Sequence, residues 1–565
     1  MNYFLNVFLL IAVYMIALGS MLSATFVIIL NYRRSVPVNG GTVITMDYGI
    51  FQGAISPDGI GRFFRNIPFA APPIGTLRFK PPQPPLNLPK TAPVDAVTPG
   101  HICMQPVLNP DFANLMSEDC LNLNIFTPIT ANQYSKLPVI VFIHGSNFGK
   151  SFTQGSNADP QLNFFNFLAF ARDRKAVVVV PNYRLNAFGF LASTEMSTAD
   201  ATNVGLQDQR AVFRWVRKYI ENFGGNPGLV TAWGQAEGAT SVVLQQIWME
   251  TQVRDQQDIF DLAILHSAGA PPLLNTLKTA EMTLARILDL TGCNNGPHSL
   301  NCLQKADAGS LLKAAVQIAS ESPVFSPFMP TVDRVHIPTQ PMALIDTGKF
   351  KALPTLMIDN ANEGAPYAAL VGQIPDSPAG INAALQFQQN TFLFLNNTGM
   401  KLAQKLYPLE SFTSPFYQSS EMYSDAMVRC PQGQLAQALV MQKKPIYKAR
   451  FGHIPLRPLD PSLSTLGVYQ KAEFPFTMGL QPFLGSGDEL RLSQLMILSW
   501  FDFIGNVTPG STEQFKWAAY DAEAYSVMTI DLPFTAEIKK DPAFDNLKDK
   551  CHLWISSAIE FAAAT

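Results

Sequence analysis

The sequence predicts an α/β fold: a central, mostly parallel sheet flanked by helices and preceded by an N-terminal apolar segment. Three observations carry this reading. Leu137-Pro-Val-Ile-Val-Phe-Ile143 and Ala176-Val-Val-Val-Val-Pro181 are short, β-branched and apolar, as strands covered on both faces must be. Between Gln207 and Phe223 the apolar residues Ala211, Val212, Trp215, Val216 and Ile220 recur at helical spacing. Leu229-Val-Thr-Ala-Trp233 is then another strand, followed by Gly234 and a helical run from Thr240 to Glu250. Strand, helix, strand, glycine turn, helix is the order expected of parallel strands joined by crossover helices.

The chain has 565 residues, 47% apolar and 15% charged, with 43 Pro, 36 Gly and a formal charge of -3. So apolar a chain at low net charge collapses, which excludes a disordered protein. Balanced charge without Lys/Arg runs gives no footprint for nucleic acid. Residues 1–35 read as a signal anchor or a signal peptide: Tyr3 to Leu30 is almost uninterruptedly apolar and is closed by Arg33 and Arg34. The stretch is long enough to span a bilayer and so to hold the protein at a membrane. Small residues at Gly19, Ser20, Ser23 and Ala24 offer cleavage sites, although a basic start is missing. The arginines favour a cytoplasmic C-terminal side, whereas six cysteines favour the secretory pathway, with the main domain lumenal, extracellular or secreted. Residues 36–565 carry no linker, repeat or low-complexity stretch and read as one domain; the prolines from Pro68 to Pro85 read as an extended surface loop.

The cysteines are Cys103, Cys120, Cys293, Cys302, Cys430 and Cys551; spacing alone leaves fifteen pairings open. No Cys-x-x-Cys or Cys/His cluster points to a metal, and nothing points to a cofactor. Asn396 and Asn506 stand in glycosylation sequons.

Gly234-Gln-Ala-Glu-Gly238 brings the pattern to a recognisable motif. Strand, G-x-S-x-G, helix is the nucleophile elbow, in which a strained turn lifts a serine hydroxyl above the sheet. Both glycines are present, and the serine position is Ala236. The surroundings resemble type-B carboxylesterases and lipases, the cholinesterase-like branch of the α/β-hydrolase fold. The resemblance rests on ordered blocks from about Pro37 to the C-terminus. Phe64-Arg-Asn-Ile-Pro-Phe-Ala-Ala-Pro-Pro73, Ser117-Glu-Asp-Cys-Leu-Asn-Leu-Asn124, Gly205-Leu-Gln-Asp-Gln209, Asn222-Phe-Gly-Gly-Asn-Pro227 and Trp517-Ala-Ala-Tyr-Asp521 are among them. It implies an α/β-hydrolase fold and the bridges Cys103–Cys120, Cys293–Cys302 and Cys430–Cys551.

The resemblance also implies a catalytic triad at positions Ala236, Glu363 and Ser486. Glu363, in Ala361-Asn-Glu-Gly364, keeps the carboxylate. The base belongs in a G-x-x-H-G-x-D/E segment, matched here to Phe483-Leu-Gly-Ser-Gly-Asp-Glu-Leu490. Serine cannot take a proton as imidazole does. His453 is the alternative base; His298 and His552 stand beside cysteines and read as structural. The His-Gly-Gly-Gly oxyanion loop of the family is His144-Gly-Ser-Asn147 here, and Glu237 follows the nucleophile position where the family has alanine. Ser146, Asn147 and Glu237 thus form a degenerate oxyanion hole and candidate ligand contacts. An engineered Ser→Ala change would explain Ala236 alone and none of the other departures.

These losses point away from hydrolysis, since removing the triad serine by itself lowers kcat about 10⁶-fold. The expectation is a catalytically inactive carboxylesterase-like protein that binds a small apolar or aromatic ligand. In class it resembles the non-catalytic hydrolase-like auxiliary proteins of fungal secondary metabolism of the viriditoxin type. That resemblance implies a role in polyketide biosynthesis: holding a phenolic intermediate and steering the stereochemistry or regiochemistry of oxidative coupling by a laccase-like oxidase. Cell adhesion or another partner-binding role is one alternative. A residual esterase with a rearranged site is the other.

Overall fold

The computed structural model describes residues 41–564 apart from 107–109, 146–159, 172, 252–257, 270, 295–298, 322–325, 511–516, 524–525, 534 and 541–543. The N-terminal apolar segment, Ser146, Asn147 and His298 lie outside the described residues.

An eleven-stranded sheet runs through the described residues. Its order from one edge is Thr535–Lys540, Ser526–Asp531, Ile446–Phe451, Thr355–Asn360, Leu262–His266, Gly225–Gln235, Leu137–Ile143, Val177–Pro181, Asn122–Pro128, Gly61–Pro68 and Ala54–Ile55. The strands from Ser526–Asp531 to Val177–Pro181 pair in parallel, and antiparallel strands close both edges. This is the architecture that the resemblance implies.

Period-two alternation explains why the central strands are apolar throughout. Val177 and Val179 enter one core layer with Val139 and Val141. Val178 and Val180 enter the other with Ile140, Phe142 and Trp233. Helices cover both faces, so neither set of side chains meets water. The predicted helix at Gln207–Phe223 spans Val204–Tyr219 and continues as a short 3-10 turn, Ile220–Phe223. The proline-rich stretch after Pro68 is not merely superficial, since Phe69 and Phe79 from it are buried in the core. Apolar side chains anchor there a backbone that proline keeps out of helix and sheet.

Three disulfides join Cys103 to Cys120, Cys293 to Cys302 and Cys430 to Cys551, the pairing that the resemblance implies. They are compatible with a secreted or extracellular protein. Asn396 and Asn506 are both exposed. Among the described residues no helix is long and apolar enough to cross a membrane.

Candidate functional site

The parallel strands all end on one edge, where loops gather the residues that the sequence singles out. Strand Gly225–Gln235 stops at Gln235, Ala236 turns the chain at φ 52°, and helix Glu237–Thr251 begins at once. Its N–H donates to the His266 carbonyl at 2.8 Å and its carbonyl accepts from Thr240 at 3.1 Å. The turn is therefore held from the neighbouring strand and from its own helix. The flanking glycines are sterically required: a Cβ on Gly234 would lie 2.3 Å from the Gly238 carbonyl oxygen, and one on Gly238 would lie 2.0 Å from that of Ile143. The elbow is thus intact, with a methyl group at its apex.

In front of Ala236 lies a narrow cleft of about 100 Å³ whose lining includes Glu237, Ser267, Tyr367, Tyr423, Met427 and Gln470. The rings of Tyr367 and Tyr423 stack at 4.1 Å, and the Tyr367 hydroxyl donates to Gln470 Oε1 at 3.4 Å. The Glu237 carboxylate reaches back towards the oxyanion loop: a Cβ on Gly145 would stand 3.0 Å from its Oε2. His144, which opens that loop, is buried and stacked on Tyr183 at 4.6 Å, with its carbonyl accepting from the Tyr183 hydroxyl at 2.7 Å. Burial, with the Lys471 charge adding to it, lowers the His144 pKa to about 3, so the ring is neutral. A groove of about 610 Å³ between helices Ile381–Thr391, Asn397–Leu406 and Pro415–Ser424 is larger than the cleft, but no elbow residue lines it.

Glu363 is wholly buried just beyond strand Thr355–Asn360. Its Oε1 accepts from the Asn360 backbone N–H at 2.7 Å and from Asn360 Nδ2 at 3.1 Å. Asn360 Nδ2 also donates to Glu473 Oε2 at 2.7 Å, so a single amide bridges two buried carboxyl groups. Glu473 in turn binds His266 Nδ1 at 3.1 Å, while Trp500 donates to His266 Nε2 at 3.2 Å. The indole bond leaves the His266 proton on Nδ1, where it donates to Glu473. Desolvation first, then the Glu473 charge, raise the Glu363 pKa to about 8. At neutral pH Glu363 is a neutral acid and cannot steady an imidazolium as a triad carboxylate does.

Ser486 belongs to a different neighbourhood, and its placement at the base position is corrected. Its side chain caps helix Gly487–Asn506 by accepting from the Glu489 N–H at 3.1 Å. Glu489 is buried and accepts from His453 Nε2 at 2.9 Å and from the Leu456 N–H at 2.8 Å. His453 is therefore part of this capping cluster, and neither it nor Ser486 lines the cleft. The residue that does is Gln470, in Gly467-Val-Tyr-Gln-Lys-Ala-Glu473. That heptad keeps the glycine and glutamate of G-x-x-H-G-x-D/E, with Gln470 and Lys471 in the His-Gly places. Lys471 even holds the left-handed conformation (φ 78°) that favours glycine. The two fixed ends of that frame were the signal in the sequence; the competing Gly-Ser-Gly at 485–487 obscured it. His552 is exposed on helix Phe544–Ala564. Among the described residues no His/Cys/Asp/Glu group is arranged to hold a metal.

Comparison with known proteins agrees with this fold. Residues 40–551 match the sequence profile described as the carboxylesterase family. The para-nitrobenzyl esterase of Bacillus subtilis (strain 168) is 31% identical over 521 residues, 88% of this chain and 96% of its own length. Cocaine esterase of Homo sapiens is 29% identical over 497 residues, 81% of this chain and 82% of its own. Among solved structures, Aspergillus niger EstA superimposes with a TM-score of 0.78 at 25% identity, covering 92% of this chain and 99% of that one.

Proposed function

The chain belongs to the carboxylesterase family, and from that premise we propose that it acts as a non-hydrolytic member that binds a small aromatic ligand. The observation that carries this is the composition of the cleft: a methyl group stands at the elbow apex and a carboxamide stands at Gln470. Ester hydrolysis by the family mechanism needs a nucleophile, a base within hydrogen-bond reach and donors aimed at the oxyanion. Ala236 has no attacking atom, and an amide side chain is not basic at neutral pH. Glu237 would add negative charge beside a developing oxyanion. Three departures acting on three parts of one mechanism support loss of hydrolysis more strongly than Ala236 alone.

The fold and elbow remain, and a cleft lined by aromatic and apolar side chains with a few polar groups binds aromatic compounds without a nucleophile. The specific form of the reading is an auxiliary that orients a phenolic polyketide intermediate while a partner oxidase couples two such molecules. Positioning of this kind needs shape and no catalytic group. The test is deletion of the gene in its host with chiral chromatography of the metabolites. Unchanged product amounts with an altered isomer ratio are expected. An accumulating ester or lactone would instead mean hydrolysis and overturn the reading, and so would an unchanged isomer profile.

A further inference from the structure

In an esterase elbow the free N–H groups at the start of the helix attract a developing negative charge. Here the first residue of that helix is Glu237, and its own carboxylate extends to Gly145 of the oxyanion loop. A carboxylate of the chain's own thus stands beside the anion site, and the polarity that the cleft shows a ligand there is inverted. Among the described residues no cation pairs with Glu237, so the carboxylate keeps accepting capacity. Its charge is felt across the cleft: burial first, then Glu237, push the Tyr367 hydroxyl well above its ordinary pKa and keep it a donor to Gln470. The rest of the wall carries no charged side chain: the Ala236 methyl, Met427 and the Tyr367–Tyr423 stack stand among the neutral polar groups of Ser267 and Gln470.

We propose that Glu237 is a specificity-determining residue of this cleft, accepting a hydrogen bond from a free phenolic hydroxyl on an aromatic ligand and rejecting carbonyl and ester oxygens. The inference rests on the reading of the cleft as a binding site and adds which atom of the ligand is recognised. A carboxylate–hydroxyl bond is charge-assisted and roughly twice as strong as a neutral one. A carbonyl oxygen in the same place meets a carboxylate and has no proton to give. A phenol suits this wall better than an ammonium ion, whose desolvation against Met427, Ala268 and Val428 is costly.

The probes are 2-naphthol and 2-methoxynaphthalene, titrated at pH 7 into the wild-type protein and into Glu237→Gln and Glu237→Ala, with binding followed by fluorescence. The expected result is wild-type binding of the naphthol about tenfold tighter than of the methyl ether. That ratio should fall about threefold in Glu237→Gln and to near one in Glu237→Ala. Glu237→Gln, being nearly isosteric, reads the effect even if the alanine variant fails to fold. Equal wild-type affinities, or a ratio that survives both substitutions, would overturn the role of Glu237 while leaving a binding cleft. Tighter binding of 2-naphthylmethylammonium than of the naphthol would overturn the phenol assignment. No binding of any of these probes would overturn the binding reading itself, and with it this inference.

Discussion

Replacing Glu363 by glutamine should flatten a pH dependence of stability that the wild-type protein carries. Glu363 is wholly buried, and desolvation and the Glu473 charge raise its pKa from 4.5 to about 8. Its folded pKa thus lies above its unfolded value. Between those two values the folded protein holds a proton that the unfolded chain has released. The stability linked to this group is therefore present in full below pH 4.5 and is lost as the pH rises through 8. Each pKa unit corresponds to about 1.36 kcal/mol, which sets a ceiling of about 5 kcal/mol for the whole span. Glutamine keeps the acceptor that Asn360 uses at 2.7 Å and cannot ionise.

The assay is urea unfolding of the wild type and Glu363→Gln, disulfides intact, at pH 5, 6, 7 and 8. Groups that titrate in both proteins cancel in the comparison. The wild type should lose about 3–4 kcal/mol relative to the variant between pH 5 and pH 8. Parallel curves would refute the reasoning, because they would mean that Glu363 is ionised in the folded protein at neutral pH. It would then still have the electrostatic state of a triad carboxylate.

Three further outcomes are expected. The triple variant Ala236→Ser/Glu237→Ala/Gln470→His should hydrolyse 4-nitrophenyl acetate at least about 10²-fold faster than Ala236→Ser/Glu237→Ala, the range that a positioned general base contributes; placing the histidine at Ser486 instead should give no gain. Gly238→Ala should abolish folding or cost more than about 4 kcal/mol, because the new Cβ would lie 2.0 Å from a backbone oxygen, whereas Gly433→Ala, in helix Cys430–Met441 with nothing within 4 Å, should raise stability by about 0.5–1 kcal/mol in thermal unfolding. Removing Cys430–Cys551, which spans 121 residues, should cost about 5 kcal/mol, against about 3 kcal/mol for Cys293–Cys302, which spans nine, both read from denaturant midpoints.

The fold was legible because its signals are local and repeated. A strand buried on both faces must be apolar at every position, and Val177 to Val180 announce that without help from the rest of the chain. Gly234 and Gly238 mark the elbow because the backbone atoms that exclude their side chains belong to the elbow itself and to the adjacent strand end. The cysteine pairing needed the family resemblance, since its longest bridge joins residues 121 apart. Glu363 could be placed from its Asn-Glu-Gly surroundings, but its neutral state could not. That state comes from burial first and then from the charge of Glu473, a residue that lies far along the chain and is drawn close only in the folded protein.

The base position shows most clearly where sequence reasoning fails. Two glycine-containing segments followed the strand Ile446–Phe451, and both ended in an acidic residue. The Gly-Ser-Gly segment matched the spacing of small residues, yet its glutamate serves a helix cap: Glu489 binds His453 and the start of helix Gly487–Asn506. In the other segment Glu473 turns inward to Asn360 and His266, which anchors the preceding turn and leaves Gln470 facing the cleft. Glu473 serves its buried network with Asn360 and His266 whatever residue stands in the base position. A support of this kind therefore does not reveal which residue it positions, because it also holds the turn in place.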